Sequence, residues 1–479
     1  MSALWPTCFS SEVVAPSIGG SLSGHVVALE AWRRGLAVTF LAGKNRRMRI
    51  ESADGRVVHF SSAKPSLTRA SALRIAREKH LTSAALAEGG VPAPESHFIR
   101  ASSADVSDVV EVADRIGYPV VIKPSDGGGG MGVFTGIQSA DELCEYYSYL
   151  TEKLGFSTLV LESHIVGSEE LRVLVVGDVI AAACARIPAN VVGDGILSIR
   201  ELIDAKNLAR SANPFLSNGP IKLDVELLAF VSRAGYELDS VLRQGERLQL
   251  RGKVNADSGG DTVDVTSSLP DEVARVSVAA VRCIPGLFAA GVDILLARDD
   301  EGNISRDDEG NICGVTVLEL NANPQIAVNM YPSEGAGQDV PKVWIDQIFP
   351  ESVRAGAPGE ETLTFSLDAP LEALETGVAD AVTLRPVPSS RLPHRTEYWF
   401  SSSDTLSARR RRFLIGLALE NGVSGELEAC SGGVRLRIAG PNESGCRPIV
   451  RRVAKWLSAD LTEPKPWRGV VRLGFRVDI

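Results

Sequence analysis

The sequence predicts a mixed α/β protein of several lobes, and three stretches carry that expectation. Tyr118-Pro-Val-Val-Ile-Lys-Pro-Ser-Asp-Gly-Gly-Gly-Gly-Met-Gly-Val133 is an apolar, strand-like run that ends in Lys123 and breaks into five glycines. Gly291-Val-Asp-Ile-Leu-Leu296 and Val315-Thr-Val-Leu-Glu-Leu-Asn-Ala-Asn-Pro324 are further apolar runs, each interrupted by acidic or amide side chains. From residue 397 to 479 the pattern reads strand, basic helix (407–421), two short strands, helix (447–457) and strand. That βαββαβ order belongs to a two-layer α/β domain.

From the amino terminus, Ser23-Gly-His-Val-Val-Ala-Leu-Glu-Ala-Trp-Arg-Arg-Gly35 reads as an amphipathic helix ending at glycine, and Ala37-Val-Thr-Phe-Leu41 as the strand after it. The glycines of Ile18-Gly-Gly-Ser-Leu-Ser-Gly24 read as a tight turn, with anion capping at the helix start as the alternative. Residues 73–90 read as a helix and turn, and Val91-Pro-Ala-Pro94 leads into the glycine-rich stretch. There, a strand fixes an ammonium and a side-chain-free loop offers its N–H groups, an order that suits a nucleoside triphosphate. It is not a Walker loop, because the lysine precedes the glycines and no Gly-Lys-Ser/Thr follows. No Gly-x-Gly-x-x-Gly/Ala opens a βαβ unit here either.

The two later runs add the complementary chemistry. A period of two places Glu319 and Asn321 on one face of their strand, with Leu318 and Leu320 on the other. With Asp293 from a neighbouring strand they form a hard oxygen set suited to Mg²⁺ bridging phosphates. The bland alternative, satisfied strand carboxylates, is weaker because buried acids need partners. Between these strands Arg298-Asp-Asp-Glu-Gly-Asn-Ile304 recurs as Arg306-Asp-Asp-Glu-Gly-Asn-Ile312; without the alternating oxygens of an EF-hand it reads as a solvated hairpin tip.

Lysine, glycine loop and metal strands in this order resemble the ATP-grasp ligases, above all the ligase module of cyanophycin synthetases and bifunctional glutathione synthetases. The likeness rests on Pro188-Ala-Asn-Val-Val-Gly-Asp-Gly195, Ile199-Arg-Glu-Leu-Ile203, Leu238-Asp-Ser-Val241 and Gly245-Glu246. It continues through Leu250-Arg-Gly-Lys-Val-Asn255, Ser258-Gly-Gly-Asp261 and Asp264-Val-Thr266, and covers residues 70–350. The resemblance implies that Lys79 and Lys123 contact the nucleotide, and that Ser125 to Gly132, with Gly128, Gly129, Gly130 and Met131, close over the triphosphate. It places Glu162 at the hinge against adenine and Glu170 at the ribose, with Glu169 as the alternative because the stretch is one residue longer. Asp293, Glu319 and Asn321 fall on the magnesium ligands, and Arg251 and Asn255 on the residues that hold the acyl phosphate and its attacker. Arg172 and Arg186 are open between phosphate or carboxylate contacts and plain ion pairs.

The implied reaction is ATP-dependent carboxylate–amine ligation. ATP phosphorylates a carboxylate, an amine attacks the acyl phosphate, and an amide, ADP and phosphate result. The cofactors implied are ATP and Mg²⁺, two ions by the family pattern, with Mn²⁺ able to substitute. The partners are a small-molecule carboxylate and an amine, such as an amino acid or peptide, and a homo-oligomer is compatible with this. ATP-dependent carboxylation, or a regulator built on a retired nucleotide-binding core, are the alternatives. A net charge of −10, with 44% hydrophobic residues, excludes a nucleic-acid partner as the expectation. No run is long enough for a membrane span. Met1-Ser-Ala-Leu-Trp-Pro lacks a signal's basic start, and seven scattered cysteines without CxxC spacing suit a reduced, cytoplasmic location.

The expected domains are an α/β lobe over 1–95, the ATP-grasp core over 96–350 with its lid at about 96–165, a Pro/Gly-punctuated linker over 351–395, and the βαββαβ domain over 396–479. That last domain resembles acylphosphatases, a ferredoxin-like fold, through Gly422-Val-Ser-Gly-Glu-Leu427 and Gly432-Gly-Val-Arg-Leu-Arg-Ile-Ala-Gly440. Arg411 falls on their phosphate arginine, but Thr405-Leu-Ser-Ala-Arg-Arg410 replaces the glycine cradle and Ala429 the catalytic asparagine. The fold without the hydrolase activity is therefore expected, and Arg409-Arg-Arg-Arg412 reads as a solvated helix face.

Overall fold

The computed structural model describes the chain except residues 1–4, 18–21, 44–46, 127–130, 166–167, 300–303, 308–311, 355, 357–359, 403 and 460–462. Gly128, Gly129 and Gly130, the Gly19-Gly20 turn and the acidic tips of the duplicated segment lie outside the described residues. The chain forms two compact units, one of residues 1–5 and 63–347, the other of 6–62 and 348–479.

The first unit is built on a five-stranded antiparallel sheet in the order Asp261–Asp264, Val179–Ile187, Ser168–Val176, Ala289–Ala297, Val315–Asn321. Alternation divides its faces. Val173, Val175, Val292, Ile294 and Val317 are fully buried in one core, against the helices Asp271–Arg282 and Ala70–Arg77. Each such side chain contributes about 1.5–3 kcal/mol by leaving water. Glu170, Arg172, Arg186 and Asp293 take the alternate positions and so share the opposite, polar face; a bulge at Leu318, where Ile294 pairs with Val317 and Asp293 with Glu319, reverses the alternation and brings Glu319 onto it.

A second, four-stranded sheet runs Ser96–Arg100, Thr158–Ser163, Val120–Pro124, Phe134–Ile137. Helices Val106–Ile116 and Ala140–Ser148 cover one side through Val109, Ala113, Leu143 and Tyr147. Asp105 closes the first with a capping box, and Ser139 caps the second by accepting from Glu142 N at 3.3 Å. Lys123 and Glu162 belong to the uncovered face, since their neighbours Ile122 and Leu161 fill the core. A third core gathers Val191, Ile199, Ile203, Leu227 and Leu248 around helices Ile199–Ser211 and Val225–Arg233.

Residues 73–90, expected as one helix and turn, form two helices, Ala70–Arg77 and Lys79–Glu88. Glu78 is extended at the break (φ −91°, ψ 105°). Lys79 thereby becomes the first residue of a new helix, and its N–H donates to Ser125 O at 3.1 Å.

The second unit joins segments that sequence order separates. Strands Ala37–Leu41, Arg47–Glu51 and Val57–Ser61 form an antiparallel sheet, and Ala381–Thr383 pairs with Ala37–Leu41. Residues 351–395, expected as a linker, thus supply a strand, as well as the helix Asp368–Glu375. The lobe expected over 1–95 is divided between the two units. Helix Leu22–Arg33 is buried on nearly every side rather than amphipathic, because the returning chain covers its outer face. Arg33 donates to Leu363 O at 2.9 and 2.6 Å, Trp32 Nε1 to Arg385 O at 2.7 Å, and Arg354 to the buried Glu30.

The carboxy-terminal elements follow the expected βαββαβ order. Their sheet runs Lys465–Pro466, His394–Phe400, Gly433–Gly440, Ser424–Cys430, Phe475–Asp478. Helix Ala408–Glu420 starts at Ser407, whose Oγ accepts from Arg410 N. The second helix begins at Glu443, four residues earlier than expected; Asn442 caps it and Pro448 sits inside it.

Candidate active site

The register of the five-stranded sheet assembles the polar face. Cys184 lies opposite Arg172, Arg172 opposite Asp293, and Asp293 opposite Glu319, so one row crosses four strands. Arg172 grips Asp293 with both limbs, Nε to Oδ1 and Nη2 to Oδ2, each at 2.6 Å. Arg186 Nη1 reaches Glu170 Oε1 at 2.7 Å and Asp293 Oδ2 at 3.2 Å, and its Nη2 donates to Asn255 Oδ1 at 2.6 Å. Arg186 therefore ties three of the expected site residues into one network.

Lysines supply the opposing charge. Lys79 Nζ stands 3.9 Å from Glu319 Oε2. Lys123 Nζ pairs with Glu162 Oε2 at 2.6 Å, and both side chains are buried. His80, the residue after Lys79, places Nδ1 3.1 Å from Ser125 Oγ. The helix break at Glu78 thus anchors both Lys79 and the start of the glycine loop. Gly132 closes that loop with φ +71°, and a Cβ there would stand 3.0 Å from Leu150 Cδ2 and 3.1 Å from Pro124 Cγ. Met131 is exposed.

Electrostatics follow from this packing. Desolvation by burial, then the facing Asp293 carboxylate, push Glu319 above the usual carboxylate range, against Lys79, Lys123 and Arg172. Burial also raises Glu170, against the pull of Arg186. Burial lowers Lys79, and Glu319 offsets it. The Cys184 thiol, pushed by burial up to about 12, stays protonated and is no nucleophile.

Asp293, Glu319 and Asn321 are the residues that could hold a cation, and their chemistry fits a hard one. Two carboxylates facing across a strand pair repel, and Asn321 follows at i+2 on the same face. Asp293 accepts three guanidinium N–H groups, which leaves lone-pair capacity on its two oxygens. Among the described residues no group of three or more His, Cys, Asp or Glu could cage a metal. Such an incomplete set suits Mg²⁺, which completes its shell with phosphate oxygens and water.

Two expected partners are not brought together. Arg251 is buried and held by Asp224 Oδ2 at 2.7 Å, Glu226 Oε2 at 2.8 Å and Lys222 O at 2.9 Å, whereas Asn255 meets Arg186. Its Nε is buried without a partner. Glu162, expected at adenine, has its carboxylate engaged by Lys123, and its strand is paired on both sides. Glu169, the alternative to Glu170, pairs with Arg298. His80, Asp224 and Glu226 escaped sequence reasoning, since no local pattern distinguishes them. Arg172 and Arg186, left open between phosphate contacts and plain ion pairs, both meet carboxylates of the site: Arg172 pairs with Asp293, and Arg186 with Glu170 and Asp293.

Comparison with known proteins gives this geometry its kin. Residues 78–185 match the family model for the carbamoyl-phosphate synthase L chain, ATP binding domain. Over 286 residues the chain is 31% identical to cyanophycin synthetase of Geminocystis herdmanii, 58% of this chain but 31% of that protein. It is 29% identical over 282 residues to the glutathione biosynthesis bifunctional protein GshAB of Streptococcus thermophilus, covering 57% of this chain and 35% of that one. The matched segment thus spans about a third of these relatives' length. The bifunctional glutathione synthetase of Pasteurella multocida shares the fold over 69% of this chain and 43% of that one, with TM-score 0.53 and 22% identity. Over about three fifths of its length the chain is thus similar in sequence to cyanophycin synthetase and to the bifunctional glutathione proteins.

Proposed function

We propose that the protein is an ATP-dependent carboxylate–amine ligase that forms an amide through an acyl phosphate, releasing ADP and phosphate. The observation that carries this is the charged cluster in which Lys79 and Glu319 stand 3.9 Å apart beside the Arg172–Asp293–Arg186 network. Phosphoryl transfer demands position and charge more than covalent participation, and this cluster offers both without a protein nucleophile. Lys123, held by Glu162, and Lys79 take the triphosphate's charge, while residues 125–132 supply backbone donors. Mg²⁺, held by Asp293, Glu319 and Asn321, would neutralise phosphate oxygens when bound. Glu170 meets the ribose. Arg186 orients Asn255 towards the acyl phosphate, and Arg251, fixed by Asp224 and Glu226, faces the attacking side.

The substrates are a small carboxylate and an amine, an amino acid or peptide. The carboxy-terminal domain is an acylphosphatase-like module without hydrolase activity, since Arg411 Nε is spent on Leu406 O at 2.9 Å and Ala429 cannot orient water. No helix among the described residues is long and apolar enough to cross a membrane.

The test is a trapping experiment. Protein, ATP, Mg²⁺ and a panel of carboxylates, without amine, should give ADP and, with hydroxylamine, a hydroxamate. Pyrophosphate and acyl-adenylate would sink the assignment. Bicarbonate as the only productive acid would favour carboxylation, and nucleotide binding without turnover a regulator.

A further inference from the structure

We propose that the outer helical face of the carboxy-terminal domain docks an acidic peptide segment that also carries apolar side chains. The face is formed by helices Ala408–Glu420 and Glu443–Trp456, which pack on one side of the sheet through Leu414, Ala418, Ile449 and Val453. Together they hold eight arginines and lysines against Glu420 and Glu443, a net +6 in a chain of net −10. The remainder of the protein is therefore at −16, and this face stands apart from it. Arg409, Arg410, Arg412, Arg451, Arg452 and Lys455 are exposed. Among the described residues none of the six pairs with a carboxylate; within the two helices only Arg447 does, with Glu443 at 2.9 Å.

The sheet's other face shows what the same domain does with charge that has no partner to await. There Arg437 meets Glu397 and Glu426 at 2.9 and 3.2 Å, Arg435 meets Glu428 at 2.6 Å, and Arg476 meets Glu426 at 3.0 Å. One face is internally neutralised, while the other presents unpaired cations.

The cations are also held in place. The Arg410 guanidinium lies 5.3 Å over the Trp456 ring, and that of Arg452 lies 5.0 Å over Phe413 and 5.6 Å over Trp456. Phe413 and Trp456 meet edge-on at 5.6 Å. Stacking fixes each guanidinium plane and leaves its N–H edge for a carboxylate, which it can grip with two bonds. Beside them Phe413, Ile415 and Leu419 are 46, 42 and 55% exposed. Carboxylates interleaved with apolar side chains complement this surface. A single-stranded nucleic acid fits it less well, because guanidiniums already occupy the rings on which bases would stack. A bilayer fits less well too, because helix Glu443–Trp456 exposes no large apolar side chain.

The experiment uses the full chain and a fluorescent peptide of alternating Glu and Leu, followed by anisotropy. Saturable binding is expected, weakened by raising salt from about 0.05 to 0.5 M. A Glu/Ser peptide of equal charge should bind about tenfold more weakly or worse. Arg410→Glu with Arg452→Glu should abolish binding. Arg412→Glu with Arg451→Glu, which leaves the ring stacks intact, should weaken it about tenfold at an unchanged melting temperature. No saturable binding, or binding unaltered in both double variants, would overturn the proposal. So would an oligothymidylate or phosphatidylglycerol vesicle that binds more tightly than the peptide and loses binding in the same variants.

Discussion

Glu319 is where three opposing effects meet, and it is the most informative residue to change. Its carboxylate faces Asp293 and is balanced by Lys79. Glu319→Gln keeps shape and removes a hard anionic ligand, so turnover should nearly vanish with melting unchanged. Near-normal rates at saturating ATP and Mg²⁺ would take Glu319 out of the site. Lys123→Met keeps the buried stem but strips the charge, and should cost about 2–4 kcal/mol in nucleotide binding or phosphoryl transfer. It also leaves Glu162 buried without its 2.6 Å partner, so a melting curve must accompany the kinetics. His25 makes a separate prediction. It is buried, neither ring nitrogen has a partner, and burial followed by Arg33 and Arg472 lowers its pKa to about 3. An unfolded histidine titrates near 6.5, so the unfolded chain takes up a proton that the folded one refuses. Stability is thus complete above about pH 6.5 and falls by about 1.4 kcal/mol per pH unit below it, down to about pH 3. In His25→Leu that slope should be smaller by this amount in thermal melts between pH 7 and 4.5. Parallel profiles for the two proteins would show that His25 ionises freely when folded.

Among the elements, the break between helices Ala70–Arg77 and Lys79–Glu88 matters most. A continuous helix would leave the Lys79 N–H bonded within it; the extended Glu78 frees that N–H for Ser125 O. Periodicity could not reveal the break, since both halves are helix-forming and Glu78 is no breaker by type. Gly132 is legible for the opposite reason: its φ requirement is local. Gly132→Ala imposes a left-handed alanine costing about 1–2 kcal/mol, before its contacts with Leu150 and Pro124 are counted. Faster proteolysis within 120–160 and a higher KM for ATP should result; an unaltered KM would mean that the loop end does not bear on the nucleotide.

At the scale of the molecule, the unit boundaries reshape what a truncation tests. Nucleotide, metal and ribose candidates all lie within residues 63–347. Removing everything after residue 386 should therefore leave ATP binding within about twofold, by calorimetry. The same cut strips Val471 and Arg472 from Leu363 and Thr364, and with them the strand partner of a segment whose carbonyl Arg33 holds. Residues 6–62 should then become protease-sensitive. Loss of ATP binding, or protection of 6–62 as in the full chain, would contradict the division.

Local chemistry was legible in the sequence by itself. Lys123 before glycines, Glu319 and Asn321 at a period of two, and the βαββαβ order each depend on neighbours a few residues apart, where strand alternation and turn stereochemistry act directly. Tertiary structure alone decided that Arg172 clasps Asp293, that Arg186 joins Glu170 to Asn255, and that Glu162 holds Lys123. It also decided that residues 381–383 return to the strand at 37–41. Those pairings need strand register and chain closure across tens to hundreds of residues, and nothing in a side chain's neighbours states which distant charge will come to lie 2.6 Å away.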